Sequence, residues 1–115
     1  MSYQHKDLAA GRWKELSLME QMANIGSEVE RALKWQAKNN AAYCRQAFER
    51  ALELIDLTLE SIRSYACLKE VARMREAVVD YFAGQNEFKS SEDSWHRYFL
   101  PFTYAARKNH YQMKL

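Results

Sequence analysis

Hydrophobic positions recur at a helical period along nearly the whole chain, and the pattern divides into four segments. The first runs from Arg12 to Lys38, with Leu16, Met19, Met22, Ala23, Gly26, Val29, Leu33 and Ala37 on one face. Glu20, Asn24, Glu28 and Arg31 fall on the other, and Asn39-Asn40 ends the run. The second, Ala41 to Ile62, turns Tyr43, Cys44, Ala47, Phe48, Ala51, Leu54, Ile55, Thr58, Leu59 and Ile62 inward. A break at Arg63-Ser64 precedes the third, Tyr65 to Ala83, which carries Leu68, Val71, Ala72, Val78, Val79 and Phe82 inward and stops at Gly84. The fourth, Ser94 to Gln112, follows a loop in which Ser90, Ser91 or Asp93 can cap it, and places Trp95, Tyr98, Phe99, Phe102, Ala105 and Ala106 inward. Pro101 lies within it and predicts a kink or a split.

Short connections make consecutive helices antiparallel. The expected product is an all-α, up-down-up-down four-helix bundle with a Pro-kinked last helix, the first helix being roughly 40 Å long at 1.5 Å per residue. A chain of 115 residues makes one domain, residues 1–115, whose first eight residues are expected to fray. Three glycines and one proline are too few for the frequent tight turns of a β-sandwich or an α/β fold.

Charge and cysteine usage narrow the partners. Seventeen Lys and Arg balance 15 Asp and Glu to a net +2, interspersed along the chain, which argues against nucleic acid as an obligatory partner. Cys44 and Cys67 both fall on apolar helix faces and read as small buried hydrophobes. No apolar run approaches the roughly 20 residues needed to span a bilayer, and no secretory signal opens the chain, so no membrane association and a cytoplasmic location are expected. The paired Glu-x-x-His motifs of metal-binding bundles are missing, as are CxxC, P-loop, GxGxxG and GxSxG motifs, so neither metal nor cofactor is expected. Asp93-x-x-His96 is the nearest approach, and His96 reads as a solvated surface residue.

One residue interrupts the apolar pattern. Arg75 sits in the middle of the third helix's inward face, among Val71, Ala72, Val78, Val79 and Phe82. Arginine cannot shed its charge, so burial demands acceptors. Antiparallel register places it level with Leu52, Gly26 and Pro101, where Gly26 leaves room for a guanidinium and Pro101 frees the carbonyl of Arg97. Glu30 is the candidate carboxylate. Two readings follow: a structural ion pair that fixes register, or an anion pocket at the bundle centre formed by Arg75, Glu30, Gly26 and Pro101.

Aromatic residues outside the predicted core suggest an interface. Leu100, Tyr104 and Tyr111 form a second stripe on the far side of the fourth helix, and Trp13 and Trp35 project from the polar side of the first. Such a stripe points to burial against another chain, either a second copy in a homodimer or a partner protein. On this reading the protein is a non-catalytic helical interaction module.

The run Arg107-Lys108-Asn109-His110-Tyr111 resembles the late Arg and His of the HEPN superfamily of helical bundles, which includes RNA-cleaving toxins and helical partners of minimal nucleotidyltransferases. The resemblance implies a second function, RNA processing or nucleotidyltransferase association, with Arg107 and His110 converging across a dimer cleft. Only two residues separate them here, against the longer spacing of HEPN ribonucleases, which argues against cleavage. Asn24 to Val29 and Ala47 to Leu54 also resemble small uncharacterised helical proteins, which bears on the fold alone.

Overall fold

Polar caps decide where each helix starts. In the computed structural model, which describes the backbone of residues 11–113 and the side chains of 11–108, α1 spans Leu18–Ala37. The Ser17 hydroxyl accepts from the Glu20 amide at 3.1 Å while the Glu20 carboxylate accepts from the Ser17 amide at 3.1 Å, a reciprocal capping box. Asn40 caps α2, Ala41–Ser61, by accepting from the Tyr43 amide. Ser64 caps α3, Tyr65–Ala83, on the Cys67 amide. The Ser91 hydroxyl accepts from the Ser94 amide at the start of α4, Glu92–Met113. No strand occurs among the described residues.

Contacts along the helices establish the antiparallel order. Trp13, just before α1, and Gln21, in its first turn, meet Thr58 and Ser61 at the end of α2. Arg75 reaches Asp56 and Phe82 meets Phe48, pairing α3 with α2 in the opposite sense. Gly26 and Glu30 of α1 face Phe99 and His96 of α4, and Tyr81 of α3 meets Trp95. The bundle is therefore up-down-up-down, as the short connections require. Within it α1 packs closely on α2 and α4, and α3 joins chiefly through α2.

Several sequence expectations need correction. The first helix begins at Leu18, not Arg12, because the capping box fixes its start; Arg12–Glu15 is instead a separate 3-10 turn. Its inward face is also rotated, with Ile25 and Ala32 fully buried, Glu28 buried and bonded to Arg31, and Ala37 exposed. On α3 the buried residues are Val71, Met74 and Val78, so the centre of the face is Met74 and Leu68 lies partly in solvent. Cys44 and Cys67 are free thiols but only half-buried. Gly84 ends α3 in extended backbone, φ −109°, and the left-handed positions of the following loop are Asn86 and Lys89. There the Asp80 carboxylate accepts from the amides of Glu87 and Phe88. Pro101 does not split α4. It is exposed, where water can satisfy the carbonyl that its missing N–H leaves free. The frayed segment expected at residues 1–8 lies outside the described residues.

The core is assembled from Trp13, Met22, Ile25, Val29, Leu33, Phe48, Leu54, Ile55, Val71, Met74, Val78, Trp95 and Phe99. It is contiguous through all four helices.

Candidate functional site

α4 presents two faces of different character. Its inner face carries Trp95 and Phe99, and Phe99 lies on Gly26 so closely that a Cβ built there would stand 2.9 Å from Phe99 Cβ and from its ring. Beside that contact His96 Nδ1 is 2.5 Å from the Glu30 carboxylate, and its Nε2 is 3.5 Å from Glu92 one turn earlier. The hydrogen bond to Glu30 is the main cause of a raised His96 pKa, opposed by partial desolvation and reinforced by Glu92. The imidazolium is thus favoured, and His96 latches the start of α4 to α1. The outer face carries Leu100 and Tyr104, 66% and 68% exposed. A shallow hollow of about 460 Å³ runs between the two helices from Gly26 and Glu30 to His96, Leu100 and Thr103.

The residues expected to form a buried anion pocket do not come together. Arg75 pairs with Asp56, Nε to Oδ1 2.8 Å, and its side chain is 39% exposed. Glu30 belongs to His96, Gly26 to Phe99, and Pro101 faces solvent. Two displacements explain the error. The buried face of α3 is centred one residue earlier, on Met74. The α2–α3 connection leaves Ile62 extended, ψ 134°, so Arg75 meets Asp56 one turn away from Leu52.

Of the residues expected at an interface, Leu100 and Tyr104 are exposed as the second stripe requires. Trp13 is not: it is 2% exposed, in the core, with its indole N–H donating to Thr58 at 2.9 Å. Lying in the 3-10 turn and not on α1, it follows no helical phase. Trp35 is half-buried, its ring edge-on to Tyr43 at 4.8 Å with Lys38 Nζ over it. The side chain of Tyr111 lies outside the described residues.

No family model matches the chain, and neither a curated protein nor a solved structure does. Arg107 is exposed on α4, and the side chain of His110 lies outside the described residues. Among the described residues no group of three or more His, Cys, Asp and Glu is arranged to hold a metal ion, and no helix is long and apolar enough to cross a membrane. Burial raises the Cys44 thiol pKa, which disfavours the nucleophilic thiolate. A second hollow, of about 570 Å³, opens where α1 starts and α2 ends, between Lys14, Gln21, Arg63 and Cys67. Sequence reasoning missed the His96 latch. The spacing of Glu92 and His96 was visible, but Glu30 is 66 residues away and only the register of α1 on α4 brings it there.

Proposed function

We propose that this protein is a non-catalytic helical interaction module of the cytoplasm that pairs with a second copy of itself through the outer face of α4. The observation that carries the reading is the exposure of Leu100 and Tyr104 on the side of α4 turned away from the core. At about 100° per residue, Asp93, Leu100 and Arg107 recur on one line of that face, with Arg97 and Tyr104 beside it. All five are exposed. The line is self-complementary, having an acid at one end, an apolar centre and a base at the other. Two copies of α4 packed antiparallel about Leu100 bring Asp93 of each to Arg107 of the other, the arrangement an isologous interface needs. The two free thiols suit a reducing compartment.

Sedimentation at micromolar concentration tests it. The wild type should sediment as a dimer, and L100E with Y104E as a monomer with undiminished helical circular dichroism. Asp93→Arg should weaken the dimer, and adding Arg107→Asp should restore it. A monomeric wild type would refute self-pairing.

A further inference from the structure

α3 and α4 meet through large side chains. Trp95 stands in the seam, its ring stacked on Phe99 at 6.1 Å and edge-on to Tyr81 of α3 at 6.1 Å. Tyr98, one turn on, packs edge-on against both Trp95 and Phe99. The Trp95 residue is only 5% exposed. Yet its Nε1–H and the Tyr98 hydroxyl, both sealed from solvent, have no hydrogen-bond partner. Trp13, equally buried, shows the usual solution, because its N–H finds Thr58. Buried donors are nearly always paired, so two unpaired ones on adjacent turns call for a reason.

Both residues line one hollow, about 480 Å³ in volume, whose opposite wall is α3. That size is ordinary for a small-molecule site. Met74 and Ala77 make its wall apolar, and Lys69, Glu70 and Arg73 stand exposed on the α3 side. These three leave a net positive charge. Burial first, and Glu70 second, push the Tyr98 pKa up to about 12, so the phenol keeps its proton and remains a donor at neutral pH. Two donors that lack acceptors thus lie sealed behind the wall of a hollow that also has an apolar side and an excess cation.

We propose that the α3–α4 seam is a small-molecule site for a planar apolar carboxylate, its oxygens accepting from Trp95 Nε1 and the Tyr98 hydroxyl. The apolar body of the ligand lies against Met74 and Ala77, and Lys69 and Arg73 attract the charge. Entry requires a side chain of the seam to turn, since both donors are sealed in the free chain. Tyr98, partly buried where Trp95 is fully so, is the one that turns. Trp95 and Tyr98 lie on the face of α4 opposite Tyr104, so occupancy leaves the outer stripe untouched.

Benzoate serves as the probe, with the indole N–H signals of the three tryptophans followed by nuclear magnetic resonance. Titration should move the Trp95 signal saturably, with a dissociation constant on the order of 1 mM, and leave that of Trp13 in place. Neutral benzamide should bind more weakly and cationic benzylamine should leave the signal where it is. Tyr98→Phe preserves the ring, so its melting temperature should not fall, while benzoate affinity drops about tenfold with one hydrogen bond lost. Glu70→Gln should tighten benzoate. A Trp95 signal that benzoate leaves unmoved, an undiminished response in Tyr98→Phe, or a preference for benzylamine overturns the proposal.

Discussion

The indole N–H of Trp13 donates to the hydroxyl of Thr58 across 45 residues of sequence, and Thr58 in turn donates to the Leu54 carbonyl at 2.8 Å. The segment before α1 is fastened to the last turns of α2 by this bond, and to α1 by Gln21, whose side-chain amide donates to the Trp13 carbonyl at 2.9 Å. Thr58→Val keeps the shape of the side chain but leaves the buried indole without an acceptor. It should cost about 1 to 3 kcal/mol in urea unfolding. A loss below about half a kcal/mol, the usual bound for an exposed site, would mean that Trp13 does not sit where the core places it.

Gly26→Ala sets two effects against each other. Alanine in mid-helix gains up to about 1 kcal/mol over glycine. The new Cβ, however, meets Phe99 Cβ at 2.9 Å, an atom next to the α4 backbone that cannot swing aside. Overpacking of this kind costs about 1 to 3 kcal/mol, so the net change should be destabilising. Because leucine keeps the Cβ, Gly26→Ala should stay destabilising in a Phe99→Leu background, measured as a double-mutant cycle in urea.

His96 gives a pH signature. Its folded pKa is raised above the ordinary value, mainly by the hydrogen bond to Glu30, so its contribution is fully present below the unfolded pKa of about 6.5. That contribution is lost as pH rises through the folded value. The stability advantage of the wild type over His96→Gln should therefore be largest near pH 5.5 and shrink towards pH 8.5. Urea midpoints of both proteins across that range provide the check. A constant gap would show that no protonated His96 is held by Glu30.

Arg75→Ala should be mild. Its partner Asp56 is itself 49% exposed, and a pair so open to solvent contributes at most about 1 kcal/mol. Chemical denaturation with and without added salt measures it. A loss of about 3 kcal/mol or more, the scale for a broken buried pair, would contradict the exposed geometry.

The helical architecture is legible because the apolar period of each segment is strong and the breaks at Asn39-Asn40 and Arg63-Ser64 stand directly between the runs; that Asn40 and Ser64 also cap the helices they precede is a finding of the structure. The helix expected at Tyr65–Ala83 matches α3 at both ends. The apolar period runs on through Ser17 and so puts Trp13 on the helix, although Ser17-x-x-Glu20 is itself a capping signature that starts the helix only there. Arg75 was misplaced because a face containing both Met74 and Arg75 has an ambiguous centre, and the extended Ile62 shifts the register by a turn. The exposed stripe at Leu100 and Tyr104 was readable, since both lie far from Trp95 and Phe99 on the helical wheel. The unpaired donors of Trp95 and Tyr98 were not, because pairing across helices depends on register and not on composition.

The unequal attachment of the helices has a consequence for how the molecule opens. α1 is held on both sides, by α2 and by α4, whereas α3 leans chiefly on α2 and meets α4 through side chains that leave a hollow between them. Cooperative units detach where the least apolar surface must be exposed. Amide exchange should therefore be fastest through α3 and slowest through the middle of α1, around Ile25 and Val29, which surrender their protons only when the whole chain unfolds.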